Sequence, residues 1–360
     1  MSFEGIAMNR NIGVFFLILL ASSLGFSQTV KEASTPLGDT LTRALTKSAL
    51  SSGDAKPFHI RVSLAESTNP SSEYHAQIEE YWGAPQQWRR SVEAPDFKQT
   101  IITNGDRVSE QTQGDYYPLW LRNFIVGIFD LVPNPEQWNR AGGNVSQLTL
   151  PNGQQTNACV RLKSKVGTEG VNNDAFSTLC FDASSLINFV GSPGYDMEFH
   201  DYKSFGKKMM PRRLQNDPEP GTELVAKVLV LEELKSSDPS LFTVDQSTPT
   251  DQRLQSIRVS QETIERAAQG QNPLSWPAVQ SGKTSGVLSM YISVDRHGQI
   301  REAYPLNADN PGLQDAARDQ LLKWKLKPLV SHGVPVQAEA ALTFHFDTTL
   351  ADSLGNNNKK

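Results

Sequence analysis

Gly286-Val287-Leu288-Ser289-Met290-Tyr291-Ile292-Ser293-Val294 opens the most informative stretch of the chain, which runs on to Phe346. Leu288, Met290, Ile292 and Val294 fall on one side of an extended backbone, with Ser289, Tyr291 and Ser293 on the other. That alternation predicts a half-buried strand. Asp295-Arg296-His297-Gly298 makes a turn. From Leu313 to Trp324 the apolar residues Leu313, Ala316, Ala317, Leu321 and Trp324 recur at helical spacing. After Lys327-Pro328 and Ser331-His332-Gly333, the residues Ala338, Ala340, Leu342, Phe344 and Phe346 alternate with Gln337, Glu339, Thr343 and His345. The stretch reads as strand, turn, helix, turn, strand: a small αβ unit.

The rest of the chain surrounds this unit with a larger body. At 360 residues there is room for two domains. A hydrophobic fraction of 38% and a charged fraction of 20% describe globular material. The net charge of -5, without blocks of one sign, argues against a nucleic-acid partner. Arg10 precedes the apolar run Ile12–Leu20, and Gly25-Phe26-Ser27 suits cleavage before Gln28, the layout of a secretory signal peptide over 1–27. An uncleaved membrane anchor is the alternative, but Ile12–Phe26 is shorter than the ~20 residues of a span. The expected location is periplasmic or secreted. In an exported chain the two cysteines, Cys159 and Cys180, suggest a disulfide.

Upstream, a short helix opens at Thr35-Pro36 and ends near Ser51–Asp54. Strands follow. Phe58, Ile60, Val62 and Leu64 alternate with polar residues, as do Tyr74, Ala76, Ile78 and Trp82, with Glu80 intruding on the apolar face. Asn104-Gly105 suits a type I′ hairpin turn. Pro118 introduces Leu119–Val132, a helix apolar nearly all round and therefore buried on more than one side. A core helix is the simpler reading; a plug in a curved sheet, or a lid over an apolar groove, is the sharper one. Strands resume at Val145 and continue to Glu232. Roughly ten strands with short turns and two helices suggest one curved antiparallel sheet. Residues 235–256, rich in Ser, Asp, Pro and Thr, read as a linker. Ser260 caps a helix over Gln261–Ala268, ended by Gly270.

Two resemblances attach to these pieces. Leu179-Cys180-Phe181-Asp182-Ala183, Tyr195–Phe199, Asp201-Tyr202-Lys203 and Lys208–Pro211 resemble the periplasmic lipoprotein-carrier (Lol-type) family, over about 36–234. That resemblance implies a half-barrel whose concave apolar face holds acyl chains beneath covering helices, with Phe124, Ile128 and Phe129 as lid residues. Trp276-Pro277, Gly286, Asp295–Gly298, the helix ending at Trp324, and Gly333-Val334-Pro335-Val336 resemble, in order, the C-terminal domain of TonB proteins, over about 257–347. It implies strand addition of a peptide from an envelope protein or outer-membrane transporter, at an edge that would include Trp276, Ala338, Ala340, Leu342, Phe344 and Phe346. The membrane anchor of a full energy transducer carries a functional His, which Ile12–Phe26 lacks, and there is no long Pro-rich spacer.

The expected fold is α+β: a curved antiparallel half-barrel with covering helices at 36–234, a linker at 235–256, a TonB-like αβ domain at 257–348 and a disordered tail at 349–360. None of the six histidines forms an HxH or HxxxH pair, and no nucleophile or phosphate-binding motif occurs, so neither an enzyme, a metal site nor a cofactor is expected. Glu79-Glu80 and Glu232-Glu233 read as solvated strand residues. The expected function is an exported envelope protein that binds a protein or peptide segment through its C-terminal module, possible roles including outer-membrane transport; the alternative is a lipid or lipoprotein carrier acting through the half-barrel.

Overall fold

The structure is a computed structural model. It describes residues 42–44, 46–51, 55–69, 71–129, 144–149, 155–163, 177–192, 195–219, 222–235, 238–249, 252–270 and 273–350. All of these lie in one compact unit. The expected signal peptide falls outside them, as does the tail beyond residue 350.

Five strands open the fold: Phe58–Glu66 (β1), His75–Ala84 (β2), Gln87–Ala94 (β3), Phe97–Asn104 (β4) and Arg107–Gln113 (β5). Helix Leu119–Phe129 (α1) follows. Then come Asn144–Thr149 (β6), Gln155–Lys163 (β7), Ser177–Phe181 (β8), Ile187–Ser192 (β9) and Tyr195–His200 (β10). A small hairpin of Lys203–Phe205 (β11) and Lys208–Met210 (β12) precedes Arg213–Glu219 (β13) and Thr222–Glu233 (β14). Apart from the small hairpin they make one 12-stranded sheet, ordered β5-β4-β3-β2-β1-β14-β13-β10-β9-β8-β7-β6. The long return of β14 to β1 joins the two meanders, and every neighbouring pair is antiparallel. The strand β9 forms although Asn188, Gly191 and Ser192 are weak strand formers.

The apolar periodicity of β1 is realised: Phe58, Ile60, Val62 and Leu64 are buried. They share a core with Ile78, Trp82, Leu179, Ile187, Met197, Leu214 and the apolar residues of α1. The helix touches both β3, through Arg90 over the Phe129 ring, and β13. Four strand spacings separate β3 from β13, about 19 Å. A helix with its side chains is only ~10–12 Å across. The sheet therefore bends around α1. Helical residues 42–44 and 46–48 add Ala44 to the same core.

Residues 239–242 pack on β3 and β4, and 245–248 lie along β5, the outer strand of this sheet. Thr248 N–H donates to Val108 O at 2.7 Å, Asn104 Nδ2 donates to Phe242 O at 3.1 Å, and Phe242 is fully buried. A composition that reads as loose connecting chain thus blunts a sheet edge.

The C-terminal part contains Ser256–Arg258 (β15), Gln261–Ala267 (α2), Ser285–Val294 (β16), Ile300–Ala308 (β17), a 3₁₀ turn at Pro311–Leu313, Gln314–Leu321 (α3), the short pair Val330–Ser331 (β18) and Val334–Pro335 (β19), and Gln337–Asp347 (β20). The sheet order is β15-β20-β16-β17, with β15 parallel to β20. One face packs on α2 and α3 through a second core containing Leu288, Met290, Ile292, Leu313, Ala317 and Leu342.

Several expectations need correcting. The strand β17 is absent from the sequence reading. Bulges opposite Ser289/Met290 and Ser293/Val294 break its alternation, so Ile300, Ala303 and Tyr304 are the buried residues and no clean period of two appears. The helix stops at Leu321, and Trp324 lies beyond it, edge-on to Phe344 at 6.1 Å. Pro335 ends β19, and the last strand begins at Gln337. At the β4–β5 hairpin Asn104 is still paired, and of Gly105 and Asp106 only Gly105 has a positive φ, the type II′ pattern. Glu80 is not solvated: it is buried and paired with Arg90.

The Asp295–Gly298 turn behaves as its residues dictate. Asp295 Oδ1 accepts the N–H groups of His297 and Gln299, both at 2.9 Å. Gly298 sits at φ 86°, where an added Cβ would lie 2.2 Å from Leu326 O.

Candidate functional site: the groove helix and its fastenings

Helix α1 lies in the hollow of the large sheet. Leu121 and Phe124 are fully buried, Ile128 and Phe129 nearly so, and Val126 is the residue turned outward. The three residues expected as a lid, Phe124, Ile128 and Phe129, are thus packed against the sheet as part of its core.

The two ends of α1 are held by charge. Near the C-terminal end, Arg90 Nε donates to Glu80 Oε2 at 2.6 Å. Its guanidinium carbon stands 4.0 Å from the centre of the Phe129 ring and 5.3 Å from that of Trp88. Glu80, the polar intruder on an apolar strand face, is the buried counter-charge that fixes Arg90 over the helix.

At the other end the C-terminal sheet supplies the partner. The first turn of α1 has no acidic residue. Glu302, on β17, fills that role: its carboxylate accepts Leu119 N–H at 2.5 Å and Trp120 N–H at 3.3 Å. Unpaired helix donors thereby gain a negative partner at the positive end of the helix dipole. Tyr116 Oη donates to Glu302 at 2.6 Å, and Tyr304 Oη donates to its other oxygen. Burial, then the neighbouring Glu302 charge, pushes both phenols well above their ordinary range, so both remain donors.

One turn further on, Arg122 spans three strands of the C-terminal sheet. Nη1 donates to Ser256 Oγ at 2.9 Å and to Glu339, and Nη2 donates to Ser293 Oγ at 3.2 Å. Tyr291 Oη donates to the second oxygen of Glu339 at 2.7 Å. Burial alone raises the Glu339 carboxyl, but Arg122, Arg258 and these hydrogen bonds outweigh it and leave the group below its ordinary value. Gln337 completes the contact. Its amide accepts Tyr117 N–H at 2.9 Å and donates to Tyr117 O at 3.1 Å. Tyr117 itself stacks on Phe97 at 4.2 Å, and burial pushes its phenol up to about 12.

The residues expected at a peptide-binding edge lie on or beside β20. Ala338, Ala340, Leu342 and Phe346 point into the second core. Trp276 packs edge-on to Phe346 at 5.9 Å, and Phe344 against Trp324. The outer backbone of β20 is covered at Gln337–Glu339 by β15. At Thr343 the Gln261 side chain imitates a strand: its Oε1 accepts Thr343 N–H at 2.8 Å and its Nε2 donates to Thr343 O at 3.1 Å. Cys159 and Cys180 face each other across β7 and β8 and form the disulfide.

Sequence reasoning missed Glu302, Arg122, Glu339 and Arg90. Two signals existed: Arg122 is the one charge in an otherwise apolar helix, and Glu339 stands among alanines. Nothing in the sequence joined them. Among the described residues no group of three or more His, Cys, Asp or Glu is placed to hold a metal ion, and no helix is long and apolar enough to cross a membrane. His59 lies between Glu79 at 2.8 Å and Glu232 at 3.2 Å, stacked on Tyr81.

No protein-family model matches the chain, and no curated protein does. Solved structures align weakly. An outer membrane lipoprotein-sorting protein domain from Vibrio parahaemolyticus aligns at 10% identity over 57% of this chain and 94% of that one, with a TM-score of 0.33. A LolA superfamily protein from Nitrosomonas europaea aligns at 9% identity over 59% and 99%, with a TM-score of 0.29. A DUF1329 family protein from Desulfovibrio piger aligns at 9% identity over 58% and 98%, also at 0.29. None of the three is described as a TonB-type protein, and at these TM-scores the likeness carries no argument about function.

Proposed function

We propose that the chain is a non-enzymatic binder of an apolar chain, a lipid acyl chain being the fitting class, which takes the place of α1 in the hollow of the large sheet. The observation that carries this reading is the occupant of the hollow. A helix apolar nearly all round fills it, with Leu121 and Phe124 fully buried, while its ends are fastened by ionic contacts. A permanent core helix gains little from such fastenings, because buried ion pairs contribute little net stability over apolar packing. They do give a contact that is firm when complete and weak when one partner is lost. The Cys159–Cys180 bridge supports an oxidising compartment, periplasmic or extracellular.

The experiment is native mass spectrometry of the full chain purified without detergent. A co-purifying lipid-sized mass that exchanges with added fatty acid is expected. A clean apo mass, with no uptake of a dansyl-labelled fatty acid, overturns the reading. Strand addition of a peptide at β20 is the second reading, on the ground that β15 pairs with only three residues of that 11-residue strand. It has less support, since β15 and Gln261 already occupy part of the edge.

A further inference from the structure

All the C-terminal groups that hold α1 come from one face of one sheet. Ser293 is the register partner of both Glu302 on β17 and Glu339 on β20, and Gln337 lies two residues before Glu339 on the same side. This is the face opposite the second core. Tyr291 and Ser293 are buried on it, although their alternation with Leu288–Val294 suits a solvent-facing side. What covers them is α1 and its approach, Tyr116–Arg122. Leu119 also packs on Tyr291 and Tyr304 there.

We infer that the C-terminal module is a catch on the groove: α1 leaves the hollow only when Glu302 and Glu339 release its N-terminal turn, so loading the groove and uncovering this sheet face are one event. The inference rests on the proposed groove function for its ligand, but the catch itself does not. Its physical basis is the location of the helix cap. A capping carboxylate carried by the helix itself would travel with it and contribute the same in or out of the hollow. Here the cap is on another module, so undocking strips Leu119 and Trp120 of their acceptor and leaves Arg122 without Ser256, Ser293 and Glu339. The ligand's competitor is thereby stabilised by a distant site. By linkage, whatever binds the uncovered face favours loading, and loading favours that binding, by the same factor.

Hydrogen exchange and binding of dansylundecanoic acid, both on the full chain, test this with Glu302→Gln, Glu339→Gln and the milder Glu302→Asp. Amides of Leu119–Phe124 are expected to exchange at least tenfold faster in the Gln variants and less so in Glu302→Asp, with Leu288–Ile292 unchanged. The probe is expected to bind at least tenfold more tightly to the Gln variants. Unchanged exchange in α1, or equal acceleration in α1 and Leu288–Ile292, overturns the catch. Faster exchange in α1 with unchanged probe affinity overturns the coupling. Absence of probe binding in every form, wild type included, overturns the groove function and leaves the exchange arm to decide the catch.

Discussion

The carboxylate of Glu302 caps a helix that begins at Leu119, far away in sequence and in a different core, with Leu119 N–H donating at 2.5 Å. Glu302→Ala should lower the stability of the full chain by about 1–3 kcal/mol, the range for a lost cap plus partners left unpaired. Urea unfolding followed by tryptophan fluorescence measures it, since Trp120 sits in the affected turn. No change in midpoint would mean that water replaces the carboxylate at no cost.

Glu339 predicts an acid sensitivity. Its folded value is depressed, so the stability it contributes is complete above the ordinary glutamate value and is lost as pH falls through the folded one. The groups facing it are Arg122 from α1, Arg258 from β15 and the Tyr291 hydroxyl from β16. Stability measured from neutral pH into acid should fall less steeply in Glu339→Gln than in the wild type. Identical slopes would show that the carboxylate is not charged in the folded protein.

The Glu80–Arg90 pair should behave as a buried ion pair. Removing one partner, as in Arg90→Met, leaves Glu80 buried and uncompensated and should cost about 3–5 kcal/mol. The double variant Glu80→Leu/Arg90→Met should recover most of that loss. A double variant as unstable as the single one would place the cost in lost contact with Phe129 rather than in the stranded charge.

Gln261 guards the edge of β20. In Gln261→Ala the Thr343 amide should exchange at least tenfold faster, and the exposed strand edge should raise self-association at high concentration. If strand addition is a working mode, the same variant should bind extended peptides more tightly. Unchanged exchange at Thr343 would show that the side chain only shadows a bond that water makes as well.

The disulfide closes a sequence separation of 21 between adjacent strands. Replacing both cysteines by alanine should cost about 3 kcal/mol through the freer unfolded chain. Thermal unfolding of the two forms under matched conditions decides it, and equal midpoints would assign the bridge no stabilising role.

The sequence by itself determined that most strands are half-buried, where most turns fall and that the apolar run beginning at Leu119 must be buried, because period, turn chemistry and apolar content are local properties of the chain. It also suggested the Cys159–Cys180 bridge, which the structure forms across β7 and β8. It missed β17, whose alternation is broken by bulges that only the partner strand imposes. Only the tertiary structure decided what the polar residues do. Glu302 and Arg90 look like surface charge in sequence; Arg122, Glu339 and Glu80 stand out among apolar neighbours, but a charge carries no mark of its partner. Docking one sheet face on the start of α1 turned Glu302, Glu339 and Arg122 into a single fastening, and bending the large sheet around the helix brought Arg90 over Phe129. The stretch that begins at Gly286 is legible as a packing unit from its periods; that its polar face holds another module's helix is a fact of three dimensions, since Coulomb and hydrogen-bond energies depend on distance in space and not along the chain.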